Sequence, residues 1–329
     1  MKIHLVGLRQ ECYDAMLRIV ASAEPKLHTL VDDPESADLI LFVGGWHERG
    51  RGVVDSPLPR RYPEKTFIYS DDDGFVPLLP GLYAAAERPR WIDWKRYKGA
   101  PYINRFNPFV GPMDVEKRYL LSFAGGSTSL LRKRIYKSKF RRPDVLIENT
   151  SHYYHWDPSQ PGREERQKKY AETIAASRFG LCPRGGSAGS IRLFEVMEMG
   201  VAPVVMADGY LPPEGPDWES FALMVPEKKL GELEALVVAH EGENVERGRL
   251  ARAAFEQWFA PEVAFNHLIA AVVRVRDEKR ISERWVQPFW KYMLWKQQLR
   301  NQVRGWVKAA VLLGFRLIGK QVPFAMNRP

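Results

Sequence analysis

Cysteine is scarce: Cys12 and Cys182 are the only two in 329 residues. One follows the first strand candidate and the other ends a later one, so both are expected as reduced thiols and a disulfide framework is excluded. Long apolar runs are missing as well. No window holds about 18 uninterrupted apolar residues, which excludes a membrane-spanning helix of the usual kind. The opening MKIHLVGLRQECYDAM turns polar too early for the apolar core of a signal peptide. There is no repeat of fixed period and no low-complexity tract. Histidines do not cluster: His152 and His155 stand three apart with no further ligand group to support a metal. His47, in VGGWHERG, is a lone loop histidine that could touch a ligand or simply be exposed.

What is present points to a folded α/β enzyme-sized chain. The 45% apolar content excludes general disorder, and the length suits two domains. The net charge of +9 is unevenly placed. From Lys279 to Pro329 there are eleven Lys/Arg against one acid, Glu283, leaving residues 1–278 at −1. A basic tail on a nearly neutral body indicates a partner surface. It does not indicate nucleic acid, which would require a basic face on the body too.

Strand-like and helix-like segments alternate twice. KIHLVGL, ADLILFVGGW and TFIYSDDDG read as strands around the helix CYDAMLRIVASA. After a Gly/Pro/Asn-rich linker at Gly99–Pro112 come RYLLSFAGG, the helix STSLLRKRIYKSKF with Ser/Thr caps, DVLIEN, the charged helix REERQKKYAETIAASR, FGLC, the helix GSIRLFEVMEM, VAPVVM and FALMVPE. Two α/β domains with parallel sheets follow, with ligands expected beyond the carboxyl ends of the strands. We expect domains at 1–110 and 111–278, and a tail at 279–329.

The stretch CPRGGSAGSIRLFEVMEMG carries the clearest chemistry. A strand stops, glycines at 185, 186 and 189 follow, and a helix begins near the candidate caps Ser187 and Ser190, ending at Gly200. Free N–H groups at such a helix start receive anions. Arg184 and Arg192 could meet a phosphate, and Glu195, on the same helical face as Arg192, could accept ribose hydroxyls. The alternative is a tight βα loop with surface arginines and an Arg192–Glu195 pair. No Gly-Lys-Ser/Thr follows, so this is not a Walker loop.

The run LCPRGGSAGSIRLFEVMEMGVAPVVMADGYLPP…DWESFALMVPE resembles the exostosin family of glycosyltransferases, as does YLLSFAGGSTSLLRKRI upstream. The resemblance implies a GT-B fold and a nucleotide-sugar donor, a UDP-sugar by expectation, with inversion at the anomeric carbon. It assigns Arg132, Arg184, Gly185, Gly186, Ser187, Ser190, Arg192 and Glu195 to the donor. Retaining GT-B enzymes carry a second glutamate eight residues before the ribose-binding one, where this chain has Ser187. No cofactor or divalent metal is expected.

Inverting transfer needs a base. IYSDDDG resembles the family's Ser-His-Asp-Trp-Gly, which makes Asp72 the candidate, with Asp71 where the family has His. Two other readings stay open: an Asp71/Asp73 metal motif of the GT-A kind, or a solvated acidic turn. In the aromatic segment SHYYHWD, rings could stack on sugars or pack between domains.

From Trp295, apolar residues recur as Leu299, Val303, Trp306, Ala310, Leu313 and Leu317, beside the basic row Lys296, Arg300, Arg304 and Lys308. This amphipathic pattern suits an anionic membrane surface over residues 285–320, unless the helix crosses back onto the first domain. The expected protein is a cytoplasmic, peripheral transferase on the cytosolic membrane face. It would act on a glycan or glycolipid acceptor in surface polysaccharide or lipid-linked oligosaccharide synthesis. The alternative is a non-catalytic nucleotide-binding module serving as a membrane-associated partner.

Overall fold

The computed structural model describes residues 1–44, 50–89, 92–153 and 159–317. His47 and His155 lie outside them, as do residues 318–320 of the expected membrane segment. The first sheet contains β1 (Lys2–Gly7), β2 (Thr29–Leu30), β3 (Leu39–Val43), β4 (Thr66–Ser70), β5 (Gly81–Tyr83) and β6 (Tyr97–Gly99). They are all parallel, in the order β2-β1-β3-β4-β5-β6. The second contains β7 (Tyr119–Gly125), β8 (Val145–Asn149), β9 (Ser177–Pro183), β10 (Ala202–Met206) and β11 (Leu223–Met224), parallel in the order β11-β10-β9-β7-β8. The central strands LILFV and APVVM are buried at every position. Such unbroken apolar runs need helices on both faces of the sheet, and they have them.

Helices α1 (Gln10–Ser22), α2 (Arg51–Asp55) and α3 (Leu58–Arg61) belong to the first domain. In the second lie α4 (Leu130–Lys137), α5 (Arg163–Ala175), α6 (Ile191–Glu198), α7 (Trp218–Phe221), α8 (Leu233–Ala239) and α9 (Asn244–Trp258). The chain then returns. Helix α10 (Pro261–Glu278) inserts Phe265, Leu268, Ile269, Val272 and Val275 into the core under β1, β3 and β4. The two domains are Rossmann-like and face one another, the arrangement expected of GT-B. FALMVPE contributes only the two-residue β11. Cys12 and Cys182 are free, buried and in different domains.

The expected tail divides differently from its sequence boundary at 279. Glu283, in α11 (Glu283–Val286), makes a buried ion pair with Arg96 at 2.7 Å. Trp290, the first residue of α12 (Trp290–Leu317), is 2% exposed and donates its indole N–H to the Leu78 carbonyl at 2.9 Å. Burying that indole stabilises the junction by about 3 kcal/mol. Residues 281–294 are therefore part of the first domain, and the exposed helix begins near Trp295. No helix among the described residues is long and apolar enough to cross a membrane.

Candidate functional site

The site lies where the carboxyl ends of β7 and β9 stand side by side, Ser122 of β7 being paired with Gly180 of β9. Each strand runs into a glycine-containing loop and then into a helix. After β7, Gly126 and the Ser127–Ser129 segment lead to α4, whose N-cap Ser129 accepts a hydrogen bond from the Arg132 N–H at 3.2 Å. After β9, the loop Arg184–Gly189 leads to α6. Ser190 occupies the α6 N-cap without a side-chain capping bond. Gly200 terminates that helix at φ +67°, a left-handed position that glycine adopts without strain.

Arg132 and Arg192 converge on one ring. The Arg132 guanidinium lies 5.3 Å from the Phe123 centroid, and that of Arg192 lies 4.6 Å from it and 4.9 Å from Tyr170. Arg132 is oriented by the carbonyls of Arg184, Gly126 and Pro183 at 3.1–3.3 Å. Arg192, only 8% exposed, donates to the Ala124 carbonyl, while its buried Nε has no partner. Neither guanidinium is in an ion pair among the described residues. Burial, with Arg192 beside it, pushes the Arg132 pKa down to about 10. Two cations held close in a desolvated site, unmatched by an anion, are costly unless a ligand supplies the negative charge.

The other donor candidates are placed unequally. Glu195 makes no ion pair with Arg192; its carboxylate accepts the Tyr170 hydroxyl at 2.5 Å. Burial raises its pKa, against the opposing hydrogen bond from Tyr170 and charge of Arg192. Arg184 is ion-paired with Glu227 at 3.0 Å, and its carbonyl, more than its charge, serves the site. Gly185 lies against Thr128 and Arg132. Ser187 is buried, whereas Gly186 is exposed. Gly189 approaches the Ala84 carbonyl of the first domain so closely that any Cβ there would collide with it.

Across the cleft, the three aspartates are separated by their partners. Arg9, in the loop after β1, binds Asp71 and Asp72 at 2.7 Å each. Asp71 also accepts from Asn104 at 3.0 Å; its pKa is raised, burial outweighing Arg9. Asp73 points the other way and accepts the Ser187 hydroxyl at 3.2 Å. Asp73 is thus the carboxylate that meets the glycine loop. Sequence reasoning missed Arg9, Tyr170 and Asn104. Arg9 left a trace, a cation in the first βα loop at the same sheet edge as the acidic turn. Tyr170 left none, since it sits in a polar helix 25 residues from Glu195. Among the described residues no group of three or more His, Cys, Asp or Glu is arranged to hold a metal. In SHYYHWD, the described His152 ring meets Tyr153 edge-on at 4.8 Å.

The residues of this site fall in a stretch that is similar to known proteins. Residues 87–239 match the Exostosin GT47 domain. The chain is 27% identical over 182 residues to the Exostosin-1 homolog of Caenorhabditis elegans, covering 51% of this chain and 48% of that protein. It is 25% identical over 152 residues to the probable glucuronosyltransferase GUT1 of Oryza sativa subsp. japonica, covering 43% of this chain and 36% of that protein. The chain thus spans about half the length, or less, of these curated relatives. Among solved structures, MurG of Acinetobacter baumannii aligns over 85% of this chain and 98% of its own at 12% identity and a TM-score of 0.35. Residues 87–239, which include both glycine loops and both converging arginines, are thus similar to the Exostosin GT47 domain.

Proposed function

We propose that this protein is an inverting glycosyltransferase that takes a sugar from a nucleotide-sugar, a UDP-sugar in the first instance, and passes it to a hydroxyl of a glycan or glycolipid. The observation that carries the reading is the pair Arg132 and Arg192, desolvated over Phe123 and without an anion among the described residues. A nucleoside diphosphate supplies that charge, and its charge grows as the bond to the sugar breaks. Cations aimed at a leaving group stabilise the transition state more than the ground state. Glu195 is proposed to accept ribose hydroxyls, with Tyr170 holding its carboxylate in place.

The base is proposed to come from the 71–73 turn. It takes the acceptor's proton, the acceptor oxygen bonds to the anomeric carbon, and the nucleoside diphosphate leaves from the opposite face. Asp72 is the residue assigned by resemblance. Asp73 is a second candidate, favoured by its contact with Ser187 in the donor loop. The place of work is proposed to be a membrane surface on the cytosolic side, reached by the exposed part of α12. No divalent metal or cofactor enters the proposal.

The test has two stages. Thermal shift with UDP, GDP, CDP and ADP should show stabilisation by one nucleotide, with and without magnesium; no shift with any of them would remove the donor site. With the matching nucleotide-sugars and an acceptor panel, Asp72→Asn and Asp73→Asn are then compared. The variant of the base should lose about 10²–10⁴ in kcat with nucleotide binding intact, and equal, full activity of both would place the base elsewhere.

A further inference from the structure

At the foot of α12 the first domain carries a groove lined by Arg60 of α3, Arg284 of α11 and Lys291 of α12, beside Gln287 and the buried Trp290. No acid lines it. All three basic side chains are exposed, and none has an ion pair or hydrogen bond within the described residues. Their backbones are nevertheless firmly held. Gln287 donates to the Pro59 carbonyl at 2.7 Å, Trp290 to Leu78, and Glu283 is locked to Arg96. Three cations from three separate segments are thus gathered around one depression with no counter-charge among the described residues lining it.

The same contacts fix the rotation of the helix that starts there. Trp290, Met293 and Leu294 face the first domain. At about 3.6 residues per turn, positions 292, 295, 299, 303 and 306 fall on the opposite side. Tyr292, Trp295, Val303 and Trp306 are exposed there, Trp295 by 57% and Trp306 by 68%. The apolar stripe therefore points away from the body of its own molecule. A second copy is a poor occupant for it, because α12 holds six Lys/Arg and no acid, so two such helices repel.

We propose that the groove of Arg60, Arg284 and Lys291 holds the phosphate of an anionic membrane lipid, and that the adjoining stripe of α12 enters the acyl boundary. This rests on the membrane reading given above and adds to it a localised headgroup site. Basic side chains near an anionic surface each contribute on the order of 1 kcal/mol, and Trp residues favour the level of the headgroups. Phosphate held at the foot would lay α12 along the surface, bringing the first domain with it.

The test is co-sedimentation of the full chain with phosphatidylcholine vesicles, with and without phosphatidylglycerol. Three triple or double variants are compared: Arg60→Gln/Arg284→Gln/Lys291→Gln for the groove, Lys296→Gln/Arg300→Gln/Arg304→Gln as a charge-matched control on α12, and Trp295→Ser/Trp306→Ser for the stripe. The groove variant should lose binding to the anionic vesicles about tenfold further than the control. The stripe variant should lose binding to both lipid compositions. Equal losses in groove and control variants would reduce the site to diffuse charge and overturn it while the membrane reading stands. Failure of the wild-type chain to bind either vesicle would overturn both. Competition by free inorganic phosphate beyond matched ionic strength would assign the groove to a soluble anion and overturn the lipid assignment.

Discussion

The two sides of the cleft treat charge in opposite ways. On the first-domain side, Arg9 lies between Asp71 and Asp72 and is bonded to both, with Asn104 completing Asp71. On the second-domain side, Arg132 and Arg192 share the Phe123 ring and each donates to its own backbone carbonyls, and among the described residues no carboxylate pairs with either. A paired cluster holds a loop in place, whereas the unpaired one is proposed to be completed by a ligand. The contrast predicts opposite responses to removing a charge.

Removing Arg9 should have the largest effect on stability. Arg9→Met leaves the buried Asp71 without its cation, at a cost of about 3 kcal/mol in urea unfolding. A loss below about 0.5 kcal/mol would show that Asp71 is protonated or solvated, and the contrast would collapse. Removing Arg192 should do the reverse. Arg192→Met relieves the burial of like charge, so the empty protein should be as stable as wild type or up to about 1 kcal/mol more so. Calorimetric titration should show the matched nucleotide binding about a hundredfold more weakly. Destabilisation by several kcal/mol would instead make Arg192 a structural cation.

Glu195 gives the smallest and sharpest effect. Its pKa in the folded protein is raised by burial, so the protonated form is favoured by folding. That contribution is complete below the ordinary glutamate range and is lost as pH rises through the raised value. Melting temperatures across roughly pH 4 to 7 should show wild type losing stability relative to Glu195→Gln as pH increases. A difference independent of pH would mean that the carboxylate is as well solvated as on the surface.

Much of this was legible in the chain itself, because it depends on local order. Apolar runs such as LILFV and APVVM define buried parallel strands, Ser129 and Gly200 mark helix ends, and the glycine loop before IRLFE marks a helix N-terminus. The glycine loop and its arginines were therefore visible as residues. Their states were not. Whether a guanidinium is paired depends on side chains that are distant in sequence: Glu227 for Arg184, Phe123 and Tyr170 for Arg192, and Arg9 for Asp71 and Asp72. The tail shows the same division. Its 3.6-residue apolar period is written in the sequence, but only packing decided that Trp290 belongs to the first domain and that Trp295 and Trp306 face outward. Periodicity specifies which residues share a helix face; the direction of that face is set by the contacts that anchor the helix, and those are tertiary.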